Sequence, residues 1–156
     1  MNKILLLIFS LLAVYAFAQT PPAKLRLNGR TDTSRMPPKD QHAVEVEDIF
    51  AELERSIASG SVRTMVGMLS QQVYLDIAGG ERGYFSSNQA TSLLLSFFAQ
   101  RKPLSFSFSS FNHRPPTPYA TGRLTYLHKG SRESVQVYVV LTRLNATWVV
   151  SHFNIY

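Results

Sequence analysis

From Leu104 onward the chain is built of strand-like runs. "LSFSFSS" alternates apolar residues with serine; "YATGRLTYLH" follows the proline-rich turn "HRPPTP". "ESVQVYVVLTR" is rich in β-branched residues, and "TWVVSHFNIY" stands last. A period of two sends successive side chains to opposite faces of a sheet. The last three runs are joined at residues 129–130 and 144–146 by connections of hairpin length, so an antiparallel meander is expected. Such a sheet has one apolar face, and that face needs a second layer to cover it.

Helices upstream supply the layer. Val46, Ile49, Phe50, Leu53 and Ile57 fall on one helical face, with most of the neighbouring charges off it. The early acids Glu45, Glu47 and Asp48 suit the positive end of a helix dipole. Gly60 reads as the C-cap, and Ser61 as the cap of a second helix with Val62, Met65, Val66 and Leu69 as its apolar face. Val73, Leu75 and Ile77 then alternate with Tyr74, Asp76 and Ala78 as a strand. Residues 79–83 form a glycine-rich turn, and residues 84–86 a short return strand. Ser86 and Gln89 stand at capping-box spacing before Ala90, Leu93, Leu94, Phe97 and Phe98, the most strongly patterned helix of the chain.

The first 18 residues stand apart. Lys3 precedes an apolar run, residues 4–18, broken only by Ser10, and Ala16 and Ala18 are small residues at the positions a signal peptidase reads. The run is shorter than the about 20 residues needed to span a bilayer. Residues 1–18 are therefore expected to be a signal peptide, with the chain exported to a periplasmic or extracellular space. Residues 19–43 hold four prolines and the cations Lys24, Arg26, Arg30, Arg35 and Lys39, without helical or strand periodicity. They read as a disordered basic linker, either a solvated spacer or a tether to an anionic membrane surface. Residues 44–156 form the domain. The chain has no cysteine, so its core must hold it together without disulfides.

The features "IFAELERSIASGSVRTMVGMLSQQVYLDI", "GYFSSNQATSLLLSFFAQRKP", "YATGRLTY", "ESVQVYVVLTR" and "TWVVSHFNIY" together resemble an uncharacterised family of exported bacterial domains with the nuclear transport factor 2-like, or cystatin-like, fold. The resemblance covers residues 46–156. It implies an α+β domain: N-terminal helices packed on a curved antiparallel sheet, cone-like, with a cavity between them. Relatives of this fold serve as enzymes, as binders of small molecules, or as dimer scaffolds, and the fold does not choose among these.

Five residues stand out as candidates for a pocket or an interface: Tyr74, Asp76, Tyr126, Tyr138 and His152. Enzymes of this fold place carboxylates, tyrosines or a His–Asp pair in the cavity. Asp76, however, shares its strand face with Tyr74 and Ala78, opposite the apolar face, so it is expected to point outward. No second acid lies between Glu54 and Glu81 to pair with it. His152 is read on the face of Trp148, Val150 and Asn154. Tyr126 and Tyr138, on neighbouring strands, line either the cavity or a dimer face. His42, His113 and His128 fall near turns or in the linker. The chain carries no metal-ligand spacing, no G-x-S-x-G and no phosphate loop, so neither a metal nor a cofactor is expected. Nucleic acid is not an expected partner, since no basic-aromatic motif is present. The reading is an exported, non-enzymatic domain that binds a small apolar ligand or a protein partner, with a homodimer formed through the sheet. The alternative is a cavity enzyme of the isomerase or dehydratase type.

Overall fold

A computed structural model describes residues 41–156. The expected signal segment, the five linker cations and the linker up to residue 40 lie outside the described residues. The elements run α1 (Gln41–Ser59), α2 (Val62–Val66), β1 (Leu69–Ile77), β2 (Arg82–Ser86), α3 (Ser87–Gln100), β3 (Lys102–Asn112), β4 (Tyr119–His128), β5 (Ser131–Leu144) and β6 (Thr147–Ile155). The six strands make one sheet in the order β2-β1-β6-β5-β4-β3. The meander from β3 to β6 is antiparallel, as is the β1–β2 hairpin. The β1–β6 pairing is parallel, so the sheet is mixed rather than wholly antiparallel.

Val46, Phe50, Leu53 and Ile57 of α1 are all but inaccessible, and Ile49 packs at the margin of the core. The helix begins at Gln41, taking in the last three residues of the expected linker. Glu45, Glu47 and Asp48 consequently lie beyond its first turn, where the dipole's influence has largely gone. Its far end is a Schellman motif: Gly60 takes a positive φ of 68°, its N–H reaches Ile57 O at 3.1 Å, and Ser61 N–H reaches Ser56 O at 2.9 Å. Ser61 occupies the N-cap position of α2, but its side chain makes no capping bond, contrary to expectation. Its φ of −83° and ψ of 78° are off the extended conformation in which a capping hydroxyl reaches forward. α2 is a single turn, and Leu69 belongs to β1. The capping box of α3 is formed as its spacing implies, with Gln89 N–H on Ser86 Oγ and Ser86 N–H on Gln89 Oε1.

β1 begins four residues before the apolar alternation does. Gln71 and Gln72 are exposed and give no periodic signal. The core then collects Val73, Leu75 and Ile77 of β1 with Val137, Val139 and Leu141 of β5 and Val150, Phe153 and Ile155 of β6. The ladder has four irregularities, between Leu69 and Tyr74, Pro103 and Ser105, Phe108 and Ser110, and Val140 and Leu141, of which the last two bear on the faces of the sheet. In β3 the register shifts between Phe108 and Ser110, and the Phe108 N–H there donates to Glu54 Oε2 of α1 at 2.8 Å. A bulge loosens the ladder locally, and a carboxylate meets the N–H left there, a bond worth about 1.5–3 kcal/mol for a charged acceptor. In β6 the partner of Leu141 is Val150, whereas the partner of Val140 is His152, so Ser151 is an extra residue. The bulge reverses the alternation. Trp148 and Val150 face the core, while His152 and Asn154 face the other way, which corrects the face assigned to His152 from simple alternation.

Gly122 lies inward on β4 beneath the ring of Phe106. A Cβ at this position would collide with the carbonyl oxygen of Ser107 and come within 2.9 Å of the Phe106 ring. Gly67 follows α2 in helical conformation with nothing within 4 Å of its would-be Cβ. Gly122→Ala should therefore lower stability by about 1–3 kcal/mol, whereas Gly67→Ala should be neutral or stabilise by up to about 1 kcal/mol. Urea unfolding followed by circular dichroism on the two variants checks both signs.

Candidate functional site

The outer face of the sheet, away from the helices, carries two rungs of side chains that the strand registers place in line. One runs Tyr84, Tyr74, His152, Val140, Tyr119 across β2, β1, β6, β5 and β4. The other runs Arg82, Asp76, Asn154, Tyr138, Thr121. Rings touch along the first rung and between the two: Tyr74 meets Tyr84 edge-on with centroids 5.1 Å apart and His152 at 5.6 Å, and Tyr119 of the first meets Tyr138 of the second at 5.7 Å. Asp76 is an ion-pair partner of Arg82; the carboxylate is mostly shielded and the guanidinium is exposed. The Asp76 bond holds Arg82 above its ordinary pKa. Asn154 donates to the Tyr156 hydroxyl at 2.9 Å. Burial first, then the nearby Tyr119 and Tyr156, raises the Tyr138 phenol above the usual tyrosine value. The outer face thus presents six aromatic rings, and the one acid among them is neutralised.

Tyr126 lies on the opposite face. It is buried against Phe97 of α3, ring to ring at 6.0 Å. Its hydroxyl donates to Glu133 Oε2 at 3.0 Å, and His128 Nδ1 stands 3.4 Å from Glu133 Oε1. The guanidinium of Arg101 lies over Phe97, 4.5 Å from the ring centroid, and 6.0 Å from that of Tyr126. Desolvation and then the Glu133 hydrogen bond push the Tyr126 phenol above 10.0, with Arg101 pulling weakly the other way. Between α1, α3 and the sheet the space is filled by packed side chains, Phe50, Leu53, Leu75, Leu94 and Phe153 among them, each at most 1 % exposed. Cavities occur at the rim. One of about 330 Å³ lies between α1 and the end of β3, bordered by Glu47, Glu54, Phe111 and His113. Another, of about 280 Å³, lies between the β1–β2 turn and the end of α3. Among the described residues no cluster of side chains has the makings of a metal site, and no helix is long and apolar enough to cross a membrane.

The family described as Domain of unknown function (DUF4783) matches residues 50–155, more than half of the chain. The chain belongs to this family. Two solved DUF4783 proteins share its fold. One, from Bacteroides uniformis, has a TM-score of 0.62 and 16% identity, over 67% of this chain and 93% of that one. The other, from Bacteroides ovatus, has a TM-score of 0.60 and 17% identity, over 67% and 91%. A ketosteroid isomerase-like protein from Erwinia carotovora atroseptica matches at a TM-score of 0.61 and 9% identity, over 75% and 96%. No curated protein matches the sequence. At these identities the structural likeness is one of fold alone. This DUF4783 domain has the α+β, nuclear transport factor 2-like cone.

Of the five candidate residues, the domain brings Tyr74, Asp76, Tyr138 and His152 together on the outer face and sets Tyr126 apart on the inner one. The companions of Tyr126 did not come out of the sequence reading, though two signals were available. A two-residue turn at Lys129–Gly130 pairs His128 with Ser131 and therefore Tyr126 with Glu133. Arg101 follows Phe97 by four residues, the spacing at which side chains of one helix face meet.

Below pH 10.0 the Tyr126 phenol is neutral in the folded and the unfolded chain alike, and its bond to Glu133 is fully present. As the pH rises through the raised folded value, ionisation sets a phenolate against a carboxylate, and that stabilisation is lost. Tyr126→Phe should cost about 1 kcal/mol at neutral pH and make the decline in stability above pH 10.0 shallower. Urea midpoints measured from neutral to alkaline pH test both parts.

Proposed function

We propose that this domain is an exported, non-enzymatic binding module that pairs with a second copy of itself through the outer face of its sheet. The observation that carries the reading is the aromatic-rich rung from β2 to β4 with Tyr138 on the rung beside it. Tyrosine brings a large apolar body and a polar tip, which suits a surface that is wet when alone and covered when paired. Tyr84 and Tyr156 are 64% and 54% exposed, more than a tyrosine with only a structural task needs. A two-fold pairing brings a patch against its own copy, so the patch must complement itself. Rings that meet edge to face do so, and the Asp76–Arg82 pair leaves no bare carboxylate to repel its counterpart.

The alternative, an isomerase or dehydratase, requires titratable groups converging in a closed cavity. The nearest arrangement is Tyr126, Glu133 and His128, in which Glu133 is exposed at the rim. That favours binding over catalysis.

Sedimentation equilibrium of the full-length chain tests the reading. A dimer is expected, with Tyr84→Arg and Tyr138→Arg each weakening association at least about tenfold. Tyr84 is exposed, so its replacement leaves the core untouched. A monomeric mass at high concentration, or association equal in both variants and the parent, overturns the proposal.

A further inference from the structure

Arg101 is an arginine without an acid. Among the described residues it makes no ion pair, and its Nε is buried with no hydrogen-bond partner. Its plane is held by the ring of Phe97 on one side and that of Tyr126 further out. Stacking occupies the π faces of a guanidinium, and its five N–H donors lie along the edge; the Tyr126 hydroxyl engages Arg101 there, and Nε is left without a partner. A buried charged group with an unmet donor is unfavourable. A cation at the C-terminal end of α3 is explained by the helix dipole, but the dipole asks only for charge. It accounts neither for the shielded Nε nor for the aromatic clamp.

The side chain borders the cavity of about 280 Å³ whose opposite wall is the β1–β2 turn. Gly79 and Gly80 line that wall with main chain alone, and Glu81 is the one acid in the lining. A second, apolar groove of about 540 Å³ shares Glu81 and Leu93 with it, so the two adjoin. Leu93 and Phe85 border the groove and are only partly buried. The Arg101 side chain, its Nε turned into the protein, thus borders a small polar chamber, and an apolar trough leads away from it.

We propose that this domain binds a monocarboxylate with a short apolar chain, its carboxylate on the terminal nitrogens of Arg101 and its chain laid over Leu93 and Phe85. The fork matches a carboxylate, which takes two parallel N–H···O bonds. Glu81 at the junction opposes a second negative charge, so a monoanion is preferred to a phosphate dianion. The trough supplies the apolar contact that makes a bare acetate too small. This site is on the helix side of the turn and does not depend on the sheet face argued above.

Isothermal titration of the full-length chain with hexanoate, hexanamide, acetate and monohexyl phosphate tests the proposal. Hexanoate is expected to bind, with hexanamide and acetate each at least about tenfold weaker. Arg101→Gln should weaken hexanoate by at least about tenfold. Glu81→Gln, an exposed substitution, should narrow the gap between hexanoate and monohexyl phosphate. Amide NMR shifts of the unmodified chain give a readout independent of any variant's folding: hexanoate should move Gly79, Gly80, Glu81, Ser96 and Arg101, and hexanamide should not. Hexanamide binding as tightly as hexanoate, hexanoate binding unchanged in a folded Arg101→Gln, shifts confined to other residues, or no binding at about 10 mM each overturn it.

Discussion

Between Val150 and His152 the last strand carries one residue more than its neighbour, and the two faces of the sheet take their composition from that residue. Upstream of Ser151 the side chains that enter the core are Trp148 and Val150; downstream they are Phe153 and Ile155. Strict alternation would have turned Phe153 and Ile155 to solvent and His152 and Asn154 toward the helices. Exposing two such apolar side chains forfeits about 1.5–3 kcal/mol each, which is large against a net stability of about 5–15 kcal/mol. One loosened peptide in the ladder costs about 1 kcal/mol, so the bulge wins easily. The Ser151 hydroxyl offsets part of even that, through contacts with Val140 O at 3.3 Å and His152 Nδ1 at 3.0 Å.

The same irregularity explains what could be read from the chain and what could not. α3 and β4 were legible because every signal for them is local: a cap, an apolar stripe, a clean alternation. The outward position of Asp76 followed from the alternation of its own strand. The face of His152 did not, because the phase change from Trp148 and Val150 to Phe153 and Ile155 is blurred by the apolar Val149, which fits either phase. The first half of β1 was hidden for a related reason. Its start is held by the parallel pairing of Leu69 with Val150 of β6, more than seventy positions later in the sequence, and no local rule reports such a contact. Arg101 was overlooked because a basic residue at the end of a helix has an ordinary explanation. Only the depth of its Nε and the rings against it set it apart.

Curvature ties the helices to these choices. Glu54 reaches from α1 to the Phe108 N–H where β3 is irregular, and Gly122 lets the Phe106 ring lie flat on β4. Both contacts draw the β3–β4 edge toward α1, while the opposite edge, β1 and β2, is covered by α3. The inner face is therefore closed by packing, and polar chemistry is pushed to the margins, where Tyr126, Glu133 and Arg101 collect. The outer face is left convex and aromatic.

β6 follows the other five described strands in sequence, yet it lies third in the sheet, between β1 and β5. Until it arrives, the β1–β2 hairpin and the β3–β5 meander have no ladder in common. A nascent chain can form each fragment early, but joining them requires a contact between distant parts of the sequence, the kind that slows folding. Without β6 the facing edges of β1 and β5 have no ladder partner. That order gives the nine-residue β6 the role of a keystone.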